Sequence, residues 1–125
     1  MPEVPLISIV DDDPSVRVAT HTLVRSLGYI VHAYASAESF LLSPHVNDTA
    51  CVIADIQMPG MSGVELQDFL IAQGRCPPII FITAFPEEHV RMHAMKAGAV
   101  CFLSKPFDGK VLGKWIDVAL RARGG

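Results

Sequence analysis

The sequence predicts an α/β fold in which a five-stranded parallel sheet is covered by helices on both faces. Five short apolar runs alternate with segments of helical periodicity, and successive runs begin 24, 20, 29 and 21 residues apart. That spacing fits a strand, a helix and two short turns, so the pattern predicts five consecutive βα units in a doubly wound arrangement. The runs are Leu6–Val10, Ile30–Tyr34, Ala50–Ala54, Ile79–Thr83 and Val100–Ser104.

The composition of the runs predicts where each strand lies in the sheet. Four of them are apolar almost throughout and several are rich in Val and Ile, which is typical of parallel strands buried on both faces. The second run, Ile30–Tyr34, mixes polar and apolar residues, so we expect it at an edge. Right-handed crossovers then place a crevice at the carboxyl ends of the strands.

Capping residues predict the limits of the five helices. Asp13 and Pro14 suit the start of the first helix and Gly28 its end, because Asp accepts hydrogen bonds from free amides and Pro suits the first turn. Ser62 and Glu65 have capping-box spacing at the start of the third helix. The predicted helical segments are 14–27, 36–42, 62–74, 87–97 and 108–121.

The composition indicates one globular domain and argues against several functions. The chain has 125 residues, 50% of them apolar and 18% charged, so we assign residues 1–125 to one domain with its core at about 5–121. A net charge of −3 argues against nucleic-acid binding by the domain's own surface. Neither a secretory signal nor an apolar run of about 18–20 residues is evident, so we expect a cytoplasmic protein that does not enter a membrane.

Polar side chains gather where four of the predicted strands end. Asp11 and Asp12 follow the first strand, and Asp55 follows the third. Thr83 ends the fourth strand, and Lys105 follows the fifth. Crowded carboxylates repel one another unless a cation lies among them, and Mg²⁺ prefers oxygen ligands. The sequence therefore predicts a magnesium site at the carboxyl edge of the sheet.

Each of these residues also has an ordinary structural interpretation. One aspartate of 11–13 is needed to cap the first helix, Asp55 could be a turn residue, and Thr83 could be a β-branched strand residue. Lys105 alone would be a solvated lysine. Capping accounts for only one of the three aspartates, however, and the other groups follow different strands. Their joint occurrence favours a site.

The mixture of groups suits phosphoryl chemistry. No Cys–His or Ser–His pair with a matched base is evident, and we interpret His89 and His93, four apart on a predicted helix, as incidental rather than metal-binding. The three cysteines, Cys51, Cys76 and Cys101, are an odd number without a CxxC pair. Cys51 and Cys101 fall in predicted strands, where we expect them to be small core residues. In the crevice, a cation and a lysine would neutralise phosphoryl oxygens, and an ionised carboxylate would attack phosphorus.

Five segments in order resemble the receiver domain of two-component response regulators, most closely those of the FixJ type. The resemblance covers about residues 5–120. It implies a flavodoxin- and CheY-like fold with strand order 2-1-3-4-5. The segments are Val10–Pro14, Ala54–Gly63, Ile82–Ala84, Ala94–Ala99 and Phe102–Phe107.

The resemblance also implies roles for individual residues. Asp55 would be the phosphoacceptor, Thr83 would hydrogen-bond the phosphoryl group, and Lys105 would pair with it. Phe102 would change rotamer when Thr83 moves toward the phosphate. The Lys105–Pro106 bond would be cis, a state that only about 5–6% of X–Pro bonds adopt.

The metal site that the resemblance implies uses oxygen ligands only. Asp12 would bind Mg²⁺ directly and Asp11 would act through water. Asp55 and the backbone carbonyl of Gln57 would complete the set of protein ligands.

As such a domain, the chain would accept a phosphoryl group from a sensor histidine kinase. Its own chemistry would be Mg²⁺-dependent self-phosphorylation and dephosphorylation rather than enzymatic turnover. The added charge would shift the face formed by residues 87–96 and 100–103, where family members often form homodimers. DNA would be reached only through a C-terminal output domain absent from this chain, which we interpret as part of a transcription regulator.

One departure from the FixJ type affects the crevice. Many such domains have Gly-His after the threonine, whereas Ala84, Phe85 and Pro86 follow Thr83 here. Phe85 lies two positions past Thr83, near where water would approach an acyl phosphate. Our hypothesis is that its bulk slows hydrolysis.

Three rival functions remain open at this point. A phosphorylation-independent interaction module could use the same fold with a vestigial pocket. A flavodoxin-like binder of FMN would need a Ser/Thr/Gly-rich phosphate loop after the first strand, where three aspartates would repel phosphate. A stand-alone hydrolase is least favoured, because the motifs include no substrate pocket with its own general base.

Overall fold

Five strands and five helices alternate along the chain in the computed structural model, which describes residues 4–124 and side chains as far as Arg121. This alternation confirms the five predicted βα units. The elements are β1 (Leu6–Val10), α1 (Pro14–Ser26), β2 (Ile30–Tyr34), α2 (Ala37–Leu41), β3 (Thr49–Asp55), α3 (Gly63–Ala72), β4 (Ile79–Thr83), α4 (Glu88–Lys96), β5 (Cys101–Ser104) and α5 (Gly109–Gly124).

The sheet is parallel throughout and has the order β2-β1-β3-β4-β5. The predicted order and the edge position of β2 are therefore confirmed. Val10 pairs with Ala54, Asp55 with Ile82, and Thr83 with Ser104. This register places the carboxyl ends of four strands side by side.

Two apolar cores form on opposite faces of the sheet, because successive strand residues point to opposite sides. Strand residues such as Ala54 and Phe81 pack with α2, α3 and α4, whereas Ile53 and Ile80 pack with α1 and α5. The central strands β1, β3 and β4 are buried along their whole length. Helices therefore cover both faces, as the apolar runs predict.

Helix limits follow the predicted caps. Asp13 caps α1, and Ser62 and Glu65 form a complete capping box at the start of α3. Gly28 and Gly74, with φ of 99° and 76°, follow α1 and α3 in the left-handed region that glycine tolerates. Within residues 4–124, the helices are all too short or too polar to cross a membrane.

The strands β3 and β5 and all five helices have limits that differ from the prediction by one to three residues. β3 also includes Thr49, which pairs with Leu6, and Asp55, which pairs with Ile82. Both residues are polar, so the apolar pattern did not predict them as strand residues. β5 begins at Cys101 rather than at Val100, although the Val100 amide already donates to the Ile79 carbonyl oxygen. α5 extends from Gly109 to Gly124, and Asp108 precedes it, its Oδ1 accepting from the Lys110 amide at 2.8 Å.

Candidate functional site

The carboxyl edge of the sheet brings the predicted charged groups together. Asp11 follows β1, Asp55 is the last residue of β3, and Thr83 is the last of β4. Lys105 follows β5, and its Nζ lies 3.1 Å from Oδ2 of both Asp11 and Asp55. Carboxylate oxygens of Asp11, Asp12 and Asp55 all lie within 4.8 Å of one another. Three carboxylates and one ammonium thus share a single cluster.

Burial determines the electrostatics of this cluster. The side chain of Asp11 is fully buried, and those of Asp55 and Lys105 are only 7% and 14% exposed. Burial raises the pKa of Asp55, and the charges of Asp11 and Asp12 raise it further, against the opposing effect of Lys105. Burial lowers the pKa of Lys105, but the hydrogen bond to Asp55 and the two carboxylate charges outweigh it, so this pKa is raised overall. Lys105 is therefore held as an ammonium.

The donor set fits a hard cation. Asp11 Oδ1 accepts from the Asp13 amide at 2.9 Å. Asp11 Oδ2 is buried and contacts Lys105 as an ion pair, but it receives no well-directed hydrogen bond. With three carboxylates facing one ammonium, negative charge remains in excess. An oxygen-preferring divalent ion such as Mg²⁺ would supply both the missing charge and a partner for that oxygen.

Only one aspartate of the run after β1 is a helix cap. Asp13 Oδ1 accepts from the amides of Ser15 and Val16 at 2.9 and 3.4 Å. Asp11 and Asp12 contribute to the acidic cluster instead. The prediction that capping accounts for one of the three carboxylates is confirmed.

The Thr83 hydroxyl is bonded to the loop after β3. Thr83 is fully buried, and its Oγ1 donates to Gln57 Oε1 at 2.6 Å and accepts from the Phe85 amide at 3.1 Å. Gln57 Nε2 in turn donates to the Phe85 carbonyl oxygen at 3.3 Å. The Phe85 side chain is 71% exposed. The sequence motifs point only to the backbone carbonyl of Gln57, so its side-chain hydrogen bonds become visible only in the structure.

Phe102 lies on β5 beside the core. It pairs in register with Phe81, and the two ring centroids are 6.4 Å apart with the rings tilted. Its side chain is partly buried against the core that contains Phe81. The Lys105–Pro106 bond that follows β5 is cis, as the resemblance implies.

Gly63 is a site residue that sequence analysis missed. A Cβ at this position would overlap the backbone carbonyl oxygen of Asp55 and press on Phe81. Only glycine lets the start of α3 approach the end of β3 so closely. The sequence signal was a glycine directly after the Ser62 cap, but its reason becomes visible only from the distance to Asp55.

The remaining histidines and cysteines lie outside the acidic cluster. His89 and His93 each lie 3.5 Å from a different carboxylate, those of Glu87 and Asp68, and among the described residues only the three aspartates form a group with metal-ligand distances. The cysteines are free. Cys51 and Cys101 lie in strands and are buried as predicted, and burial raises the pKa of each thiol to about 12.

A parallel sheet of this order with an acidic cluster and a lysine at its carboxyl edge defines the receiver class of signalling domains. The family model described as "Response regulator receiver domain" matches residues 7–117, and the chain belongs to that family. The recognition made from the sequence motifs is thereby confirmed.

Individual relatives place the chain near transcriptional response regulators. The response regulator protein TodT of Pseudomonas putida is 40% identical over 116 residues, which are 93% of this chain and 51% of that protein. The transcriptional regulatory protein FixJ of Azorhizobium caulinodans is 39% identical over 108 residues, 86% of this chain and 51% of that protein. The solved structure of FixJ-N matches with a TM-score of 0.85 and 34% identity, covering 97% of this chain and 96% of that one. The chain spans about half the length of the curated relatives it matches.

Proposed function

We propose that this chain is a phosphorylation-dependent switch in which Asp55 accepts a phosphoryl group from a histidine kinase. The observation that carries the proposal is the contact of Asp55 Oδ2 with Lys105 Nζ at 3.1 Å inside the three-carboxylate cluster. A nucleophilic oxygen, an ammonium and a candidate cation site thus lie together at the carboxyl edge of the sheet.

The chain's own residues would act as follows. A carboxylate oxygen of Asp55 would attack phosphorus while the bond to the donor's leaving group breaks, which produces an acyl phosphate. Lys105 would pair with a phosphoryl oxygen, and it is positioned by Asp11 and Asp55. Thr83 would donate its hydroxyl to another phosphoryl oxygen after leaving Gln57.

Mg²⁺ is the cofactor of this proposal, and it would neutralise charge on the phosphoryl oxygens. Asp12 and Asp55 would bind it directly, together with the backbone carbonyl of Gln57, and Asp11 would hold it through water. The excess negative charge and the incompletely satisfied Asp11 Oδ2 support this assignment.

The output surface of the proposal is the face of α4 and β5. Only Ala94 of α4 is fully buried, and Met92 on the same helix is 59% exposed. Thr83 ends the strand beside β5, which carries Phe102, so a shift of Thr83 has a short route to this face. We expect phosphorylation to promote homodimerisation here, measured as a rise in sedimentation coefficient.

The proposed output beyond this face is transcriptional. The matched relatives are about twice as long, and one of them is named a transcriptional regulatory protein. We expect DNA contact to come from an output domain outside residues 1–125, as predicted from the sequence. The cytoplasmic location stays a prediction as well.

A phosphorylation assay tests the central proposal. Wild type incubated with acetyl phosphate and Mg²⁺ is expected to gain one phosphoryl group by mass spectrometry, and Asp55→Asn none, because an amide is not a nucleophile for phosphorus. Asp48→Asn, at an exposed carboxylate, is the matched control and should label like wild type. Equal incorporation by Asp55→Asn would remove Asp55 from its role, and no incorporation by any variant would favour the phosphorylation-independent module.

A further inference from the structure

The Gln57 side chain accepts the hydrogen bond of the Thr83 hydroxyl, which the proposed switch needs for the phosphoryl group. A threonine hydroxyl has one proton to donate, and that of Thr83 is donated to Gln57 Oε1 at 2.6 Å. A lone pair of the same oxygen already accepts from the Phe85 amide. Thr83 is fully buried, so water does not compete for the proton. Its donor is therefore committed to Gln57 in this structure.

The orientation of the Gln57 amide follows from its two partners. The Phe85 carbonyl oxygen can only accept, so the group that faces it at 3.3 Å is the Nε2 donor. The amide oxygen then faces the Thr83 hydroxyl. Both ends of the Gln57 amide are thereby held by the end of β4 and the turn that follows it, although Gln57 belongs to the loop after β3.

These two loops directly follow Asp55 and Thr83, the groups that must meet on activation. Gln57 is two residues past Asp55, and Phe85 is two residues past Thr83. For Thr83 to donate to a phosphoryl group on Asp55, its hydrogen bond to Gln57 must break. A hydrogen bond to a charged phosphoryl oxygen is roughly twice as strong as a neutral one, so we expect Thr83 to donate to the phosphoryl group rather than to Gln57. The net gain in binding free energy is smaller than it would be without the bond to Gln57, because that bond must be broken.

We propose that Gln57 is a positioning residue that holds Thr83 in the resting state and so lowers the affinity of the site for a phosphoryl group. This role rests on the proposed function of Asp55 and extends it to a side chain distinct from the Gln57 backbone carbonyl. Gln57 stabilises only the resting arrangement, and a contact shifts a two-state equilibrium by its difference between the states.

A double-mutant cycle with a phosphoryl mimic tests the role. The probe is beryllium trifluoride with Mg²⁺, and its dissociation constant is measured by ¹⁹F NMR titration. Gln57→Met keeps the length of the side chain but removes the acceptor, and it is expected to tighten binding about fivefold, the value of one neutral hydrogen bond. In a Thr83→Val background the same substitution is expected to change binding less than about twofold, because no hydroxyl remains to be released.

Two further variants separate this role from a structural one. Thr83→Ser keeps a hydroxyl and should restore the effect of Gln57→Met. Gln73→Met, at an exposed glutamine after α3, should bind like wild type. Unchanged affinity in Gln57→Met, an equal gain in the Thr83→Val background, or a gain in Gln73→Met would each overturn the positioning role. Failure of the folded wild type to bind the probe at all would overturn the function of Asp55 together with it.

Discussion

The two ends of β3 satisfy buried polar groups in opposite ways. At its start, Thr49 is buried and its Oγ1 donates to the His45 carbonyl oxygen at 2.8 Å while sharing a 2.7 Å hydrogen bond with Ser8. At its end, Asp55 lies among like charges with Lys105 as its only cationic contact among the described residues, and its pKa is raised. The polar groups at the first end have their hydrogen-bond partners without a ligand. At the second end the carboxylates repel one another, and a bound cation or a phosphoryl group would change this repulsion.

The largest expected effect is the linkage of Mg²⁺ to stability. Mg²⁺ at about 100 times its dissociation constant should stabilise wild type by about 2.7 kcal/mol, because it binds the folded state and not the unfolded chain. Thermal unfolding with Mg²⁺ or with EDTA measures this difference. Thr49→Val, at the other end of β3, should show the same gain. Equal melting temperatures of wild type in the two buffers would contradict the cation site.

Loss of the Thr49 hydroxyl should destabilise the protein irrespective of Mg²⁺. Thr49→Val leaves the Ser8 hydroxyl and the His45 carbonyl without their partner, so we expect a loss of about 1–3 kcal/mol in the free energy of unfolding. Urea denaturation measures it. Thr22→Val on the exposed side of α1 is the matched control, with an expected change within about 0.5 kcal/mol. A loss no larger than in this control would show that the hydroxyl network contributes little.

Loss of the charge at Asp55 should stabilise the protein without Mg²⁺, whereas loss of the Thr49 hydroxyl should destabilise it. The raised pKa means that the folded protein disfavours the ionised carboxylate, so Asp55→Asn should raise the melting temperature by a few degrees in EDTA. In Mg²⁺ the order should reverse, because the variant lacks a proposed metal ligand. Differential scanning calorimetry at neutral pH measures both. A variant less stable than wild type in EDTA would mean that the ion pair with Lys105 dominates.

The smallest expected effect concerns Phe85. Because its side chain is mostly exposed beside the Thr83 turn, Phe85→Ala should accelerate loss of phosphate by less than about tenfold, or about 1.4 kcal/mol in barrier. The decay of phosphorylated protein after removal of acetyl phosphate measures it. Decay no faster than that of wild type would count against shielding by this ring.

Local patterns predicted much of the fold and the acidic cluster. Val- and Ile-rich runs identified the buried strands, and the sequence predicted the caps Asp13 and Ser62 because capping depends on residues two or three positions apart. Parallel strands end at one edge of the sheet, so the gathering of Asp11, Asp55 and Lys105 followed from the shared direction of the strands.

Contacts between loops could not be read in the same way. Whether Gln57 reaches Thr83 depends on side-chain rotamers and on the backbone path at two residues that are 26 positions apart in sequence. The polarity of Thr49 does not predict that it belongs to β3, because its place in the strand depends on pairing with β1.

The amino-acid order was sufficient for the alternation of strands and helices, the edge position of β2 and the gathering of carboxylates, because each arises from periodicity or from the direction shared by parallel strands. Three-dimensional packing decided which oxygen each donor binds, why Gly63 can have no side chain beside Asp55, and how far each carboxylate is removed from water. Those features depend on distances of a few tenths of an ångström between segments far apart in the chain, and periodicity carries no information at that scale.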